Sequence, residues 1–268
     1  MPIELPKAPV KAVRIDPAIL IIYGPKKVGK TGELVKLPGC LILDGEGGTE
    51  TYDALKIDFR STKKIKEIVK EIKTEGIARQ AANKTARDNK QPEPYPGDKV
   101  FPYKYIAIDT IDSAEEASLG YALENYKATS QGKDFKGNNV MELDYGLGYY
   151  YIREAVKEMI KDVASVCKTV IIVSHLVEKE TKKGGSTVVS QDISLSGKLG
   201  AIVCAMADAI GYMYRKPGAP GQPDKMMISF RTTEGVTMGA RQKHLAGKEF
   251  EFAWDKIFID DPDLKQAQ

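Results

Sequence analysis

Six consecutive apolar residues, Ala18-Ile-Leu-Ile-Ile-Tyr23, run directly into Gly24-Pro-Lys-Lys-Val-Gly-Lys-Thr31. A short, β-branched, uninterrupted apolar run predicts a strand buried on both faces, as in a parallel sheet. The eight residues after it match G-x-x-x-x-G-K-[ST], whose glycines let backbone N–H groups converge on phosphate oxygens at the start of a helix. Gly24, Pro25, Lys26, Lys27, Val28, Gly29, Lys30 and Thr31 are therefore the predicted phosphate-binding residues. In such a P-loop Lys30 reaches the β and γ phosphates and the Thr31 hydroxyl ligates Mg2+. The competing reading is an ordinary glycine turn, which the strand-to-helix context disfavours.

The same strand pattern recurs at residues 40–44, 105–109 and 169–174, each run ending in a polar residue. Between the runs, residues 62–74 carry Ile65, Ile68, Val69 and Ile72 at helical spacing, and residues 149–166 carry Ile152, Val156, Ile160 and Val163. Strand and helix in alternation predict a doubly wound α/β fold with a mainly parallel sheet. Residues 75–104 hold a Pro-rich stretch and weak periodicity, and read as an insertion or a solvated excursion. After residue 205 the runs 207–215, 226–233 and 249–253 predict an antiparallel extension of the sheet. The expected organisation is an N-terminal extension over 1–17, one domain over 18–259 and a frayed tail over 260–268.

With 40 basic against 37 acidic residues the net charge is +3, too small to argue nucleic-acid binding from the global field. Cys40, Cys167 and Cys204 are scattered, so neither a disulfide framework nor a zinc site is indicated, and core thiols are expected. Apolar runs fall far short of the ~18 to 20 residues of a membrane span. The opening MPIELPKAPV has no secretory pattern, so a cytoplasmic protein without membrane association is expected.

A phosphate-bound Mg2+ needs an acid at the end of a neighbouring buried strand, and Asp109 stands there, against the alternative of a turn or cap residue. Asp112, three residues on, reads as a helix cap. The turn Asp44-Gly-Glu-Gly-Gly48 puts Glu46 at the same edge of the sheet, where its carboxylate either polarises an attacking water or simply faces solvent.

P-loop, acidic D-x-E turn, strand-end Asp and a further strand with a polar end resemble, in this order, the RecA-like recombinase core. More narrowly, the chain is similar to the small RecA-like ATPases of bacteriophages, grouped with phage nucleotide-binding AAA domains and linked to single-strand annealing and recombination. The resemblance spans roughly residues 18–255. It implies a RecA-like P-loop NTPase that hydrolyses ATP with Mg2+, with Glu46 as the catalytic glutamate and Asp109 as the Walker B acid. It also implies that His175 senses the γ-phosphate. RecA has a Gln there, so His175 departs from the pattern, and a hydrogen-bonded strand-end histidine is the alternative. The family's DNA-contacting loops would fall near residues 127–144 and 178–191, both polar and Gly-containing. Arg241 and Lys243 alternate, so in an extended strand they would point the same way. The resemblance gives basic residues there a role at the γ-phosphate of a neighbouring subunit; a solvated basic strand face suits the spacing equally.

The resemblance thus implies single-stranded DNA as partner, a homo-oligomer in ring or filament form, a phage single-strand-binding protein as a further partner, and the host cytoplasm as location. The leading reading is an Mg-dependent ATPase acting on single-stranded DNA in phage recombination or replication. The rival is a nucleotide-switched DNA-binding or assembly module with negligible turnover. A small-molecule kinase is a third, disfavoured by the Glu46 turn and by the lack of an Arg-rich lid.

Overall fold

The computed structural model describes residues 7–12, 14–183 and 186–265. In chain order its strands are β1 (Ile19–Gly24), β2 (Cys40–Asp44), β3 (Lys56–Asp58), β4 (Tyr105–Asp109), β5 (Thr169–Lys183), β6 (Ser186–Ile193), β7 (Ala209–Lys216), β8 (Lys225–Ser229), β9 (Gly239–Ala240) and β10 (Glu249–Glu251). The helices are α1 (Lys30–Leu34), α2 (Thr62–Asp88), α3 (Ile111–Ala117), α4 (Leu119–Lys127), α5 (Leu147–Ala164), α6 (Leu199–Met206), α7 (Trp254–Ile257) and α8 (Pro262–Lys265).

The continuous apolar runs are explained by two cores, one on each face of the sheet. Alternate side chains of a strand point to opposite faces. Ile21 and Tyr23 of β1, Ile106 and Ile108 of β4, and Val170 and Ile172 of β5 therefore pack under α2, α5 and α6. Their neighbours Leu20, Ile22, Ala107, Ile171 and Val173 pack on the other face, against Leu34 of α1 and against Trp254, Ile257 and Phe258 near the C-terminus.

The strands lie in the order β10-β8-β7-β1-β5-β4-β2-β3, with β6 paired to β5 and β9 to β7. From β7 to β3 all pairings are parallel, and β8, β9 and β10 are antiparallel additions. The α/β class and the antiparallel C-terminal extension agree with expectation, although β7 itself runs parallel to β1. Register settles what meets at the edge: Gly24 pairs with His175, Val173 with Asp109, and Asp109 with Asp44. Every strand-end residue singled out in the sequence thus lies along one rim.

Several segments differ from expectation. Helix α2 does not stop near residue 74 but runs to Asp88, because Asn83 and Ala86 give its last turns something to bury. The Asn83 side chain donates to the Tyr95 carbonyl and accepts from the Tyr95 N–H, folding the Pro-rich stretch back along the helix. Residues 260–265 are held rather than frayed: Asp261 is buried, bonded to the Tyr105 hydroxyl and ion-paired with Lys104 at 2.5 Å, and Leu264 joins the core. The segment 178–191 is a two-stranded hairpin of β5 and β6 and not an irregular loop, with residues 184 and 185 outside the described residues. Residues 1–6 and 266–268 also lie outside them. The segment 127–144 folds around the fully buried Val140, with Asn139 and Glu142 capping its short helical turn.

Candidate functional site

The P-loop has the backbone its glycines were read to supply. A Cβ on Gly24 would stand 2.2 Å from the Met213 carbonyl oxygen of β7, so no side chain fits there. Gly29 has φ 116°, in the left-handed region that favours glycine. Lys26 and Lys27 are exposed, Val28 is buried under the loop, and Lys30 is buried at the start of α1. The Lys30 ammonium donates to the carbonyls of Gly24 (3.0 Å) and Pro25 (2.9 Å). Burial pushes its pKa below the usual lysine value, against the pull of Asp109, Asp112 and Glu46.

On the next parallel strand but one, Asp109 accepts a 2.7 Å hydrogen bond from the Thr31 hydroxyl. Its carboxyl is pushed up to about 6, first by burial and then by the charges of Asp44 and Glu46, with the Thr31 hydroxyl and Lys30 working the other way. A buried carboxylate beside a hydroxyl, both hard oxygen donors, in a pocket that disfavours the bare negative charge, fits Mg2+. Thr31 and Asp109 are the residues that would hold it.

The acidic turn separates its two carboxylates by use. Asp44 is 1% exposed. Its oxygens accept from the backbone N–H groups of Glu46 (3.0 Å), Gly47 (2.7 Å), Gly48 (3.3 Å) and Thr49 (2.8 Å), and from the Thr49 hydroxyl. Burial opposes the charge, but these hydrogen bonds, those of Thr49 foremost, hold the Asp44 carboxyl below its usual value. Asp44 is consumed in shaping the turn. Gly45 is required by the close approach of α3, since a Cβ would stand 2.6 Å from the Ser113 Cβ. Glu46 is thereby displayed on the turn, 43% exposed, facing the strand ends.

His175 joins the two halves. Its Nδ1 lies 3.5 Å from the Lys30 ammonium and its Nε2 3.2 Å from Glu46 Oε1. Lysine offers only donors, so Nδ1 accepts and the Nε2–H is left to donate to Glu46. Lys30, His175 and Glu46 form one hydrogen-bonded line across the rim, with Asp109 and Thr31 beside it.

The cleft over this line has a volume of about 610 Å³ and is also lined by Tyr52, Thr110 and Asp112. None of these three was singled out as a ligand in the sequence. Thr110 immediately precedes α3, and its hydroxyl does not cap the helix but donates to Glu46 Oε1 at 2.8 Å. Asp112 is the second residue of that helix and not its cap; its side chain faces the cleft, 3.9 Å from His175 Nε2. The sequence signal for both was their place one and three residues after Asp109, the predicted metal ligand. Arg215, at the end of β7, donates to the Val28 carbonyl at 3.2 Å and buttresses the P-loop from behind.

Arg241 and Lys243 are not brought to this rim. Residues 241–247 form turns after β9, so the two are not alternating members of a strand. Arg241 is ion-paired with Asp208 at 3.1 Å. Asp208 in turn accepts from the N–H groups of Ala18 and Ile19, at the opposite end of β1 from the P-loop. Within one chain Arg241 therefore faces away from the phosphate site.

A family model described as an AAA domain matches residues 16–242. No curated protein matches the chain. Among solved structures, the KaiC-like protein PH0186 of the hyperthermophilic archaeon Pyrococcus horikoshii OT3 is similar over 90% of this chain and 87% of that one, at 11% identity and a TM-score of 0.40. Among the described residues no helix is long and apolar enough to cross a membrane.

Proposed function

The chain belongs to the AAA-domain family, and from that premise we propose that it is an Mg-dependent ATPase that works on single-stranded DNA as a homo-oligomer, in phage or mobile-element recombination or replication. The observation that carries the ATPase half is the unbroken line Lys30–His175–Glu46 beside the Thr31–Asp109 pair. When bound, Mg2+ supplies positive charge that stabilises the transferred phosphoryl oxygens. Lys30 turns from its two loop carbonyls to the phosphates. Thr31 and Asp109 hold the metal. Glu46, the one carboxylate of the turn not committed to its backbone, orients water for in-line attack. Pre-set donors and charges of this kind act strongly because they need no reorganisation as the reaction proceeds.

The DNA half rests on the resemblance together with the course of β5. The strand that carries His175 in the cleft continues without a break into the hairpin at 178–191. A rigid strand joins the residue nearest the phosphate site to the segment assigned to DNA, so occupancy at one end can bias the other. Lys179 is paired with Asp192 at 2.8 Å in that hairpin. Arg241 and Lys243, remote from their own P-loop, suit a role at a neighbouring subunit's site.

One observation favours the rival, a nucleotide switch with negligible turnover. Glu46 Oε1 already accepts from Thr110 and His175, two donors that hold the carboxylate in place. ATPase measurements with and without single-stranded DNA, on the wild type and on Glu46→Gln, separate the readings. We expect turnover that single strands stimulate, and a loss of ~100-fold or more in Glu46→Gln with nucleotide binding intact. No turnover under any condition would leave the switch, and turnover indifferent to DNA would remove DNA from the proposal.

A further inference from the structure

Two carboxylates flank the Nε2–H of His175, and they are unequally served. Glu46 Oε1 collects Thr110 at 2.8 Å, His175 at 3.2 Å and, more distantly, the Ser113 hydroxyl at 3.4 Å. Asp112 stands on the other side with Oδ2 3.9 Å from the same nitrogen. Its Oδ1 is buried, with no hydrogen-bond partner among the described residues. Burial pushes the Asp112 carboxyl up, opposed by its own backbone N–H and by His175. A donor that moved onto Oδ2 would give this less-served carboxylate the hydrogen bond that Glu46 Oε1 now shares among three donors.

The ring is held toward Glu46 from behind. Lys30 touches His175 Nδ1 with the same ammonium that holds Gly24 O and Pro25 O. Phosphate in the loop gives that ammonium a stronger, charged partner and takes it from all three. The imidazole then loses the contact that fixed its rear nitrogen, and a displacement of under about 1 Å brings Nε2–H within ordinary hydrogen-bond range of Asp112.

We infer that Asp112 is a further positioning residue, the acceptor to which His175 transfers its Nε2–H bond when nucleotide fills the P-loop, so that one of the donors now holding Glu46 Oε1 is withdrawn and its place opens to water. The inference rests on the reading of Glu46 given above. It deepens that reading by assigning the trigger: Lys30 senses the phosphate, His175 relays it, and Asp112 receives the ring. It also accounts for a histidine at this position, since its two nitrogens on opposite edges of one rigid ring can face the lysine and the carboxylates at once.

His175 and His244 are the only histidines in the chain, so imidazole 15N labelling gives two ring systems by NMR. A His175→Gln sample identifies the His175 signals by their loss. We expect AMP-PNP with Mg2+ to shift the His175 Nε2–H signal further in the wild type than in Asp112→Leu, where only the loss of the Lys30 contact acts. In steady state Asp112→Leu should lose ~10-fold or more in kcat with KM for ATP within about twofold, and Asp112→Asn, which keeps an acceptor oxygen, should recover part of the loss. If Asp112→Leu does not fold, Asp112→Ser, whose hydroxyl stops short of the ring, gives the same readings. An unshifted ring in the wild type, the same shift without the Asp112 carboxylate, or an undiminished kcat in Asp112→Leu overturns the inference. Loss of turnover in Glu46→Gln with an unmoved ring overturns it alone. Full turnover in Glu46→Gln overturns the Glu46 reading and this inference with it.

Discussion

Replacing Asp109 with Asn should stabilise the nucleotide-free protein while destroying its hold on Mg2+. Asp109 is 4% exposed, and its carboxyl is pushed up to about 6 from 3.8. At ~1.36 kcal/mol per unit, keeping it charged costs the empty fold on the order of 3 kcal/mol above neutral pH. An amide removes that cost but weakens the Thr31 hydrogen bond, which then meets a neutral oxygen, by ~0.5–1 kcal/mol. The net gain is about 2 kcal/mol, or roughly 4–8 °C in Tm for a chain of this size. The pH dependence has a definite sign. Because the folded value lies above the unfolded one, the wild type holds its full Asp109 contribution below about pH 4 and loses it as pH rises through about 6. The variant has nothing to titrate there, so the difference between the two should open over that interval and be constant above about pH 7. Thermal unfolding followed by circular dichroism in EDTA, at intervals from pH 5 to 8, measures it. A variant no more stable than the wild type at pH 8, or a difference that does not change with pH, would refute the placement of Asp109 as a buried, cation-seeking acid.

Lys30→Ala should abolish binding of an ATP analogue in calorimetry, because the loop keeps its glycine backbone but loses the cation that faces the phosphates; unchanged affinity would remove the P-loop assignment. Asp44→Asn should act on stability and not on the chemical step, lowering Tm through the turn that Asp44 organises, so a folded Asp44→Asn protein with selectively lost turnover would mean that the roles of the two acids are exchanged. The double variant Arg241→Ala, Lys243→Ala should bind ATP normally yet lose turnover, and should regain part of it when mixed with Glu46→Gln protein, since a mixed interface pairs one subunit's Glu46 with the other's basic residues. Activity strictly proportional to enzyme concentration, with no gain on mixing, would argue against a shared site.

The strands and the P-loop were legible because their signals are local. Each strand is a continuous apolar run, and the loop's spacing is enforced within eight residues by backbone geometry. Glu46 and Asp109 were legible because strand ends in a parallel sheet share an edge. What was not legible depends on tertiary packing. Asn83 and Ala86 extend α2 only because the Pro-rich stretch returns to meet them. Strand β3 is three residues long, and only its pairing with β2 marks it. Asp112 looked like a cap because a carboxylate in the first turn of a helix is common; its proximity to His175 spans 63 positions and cannot be read from spacing. The basic alternation at Arg241 and Lys243 misled for the opposite reason, since period-two spacing implies a shared side only if the backbone is extended.

The strand that carries the P-loop lies between β5 and β7, some 150 and 190 residues further along the chain. The last turns close the other face of the sheet, where the Trp254 indole donates to the Glu33 carbonyl of α1 at 2.8 Å. During synthesis the phosphate-binding sequence thus leaves the ribosome well before the strands and turns that give it a shape. Until about residue 216 has emerged β1 lacks a flanking strand, and until about residue 258 has emerged the far end of α1 has no cover. Such distant pairings form slowly and leave apolar strands exposed in the interval. A nascent chain stalled before residue 209 should be unable to retain nucleotide although it contains every residue of the P-loop, the acidic turn and the His175 strand.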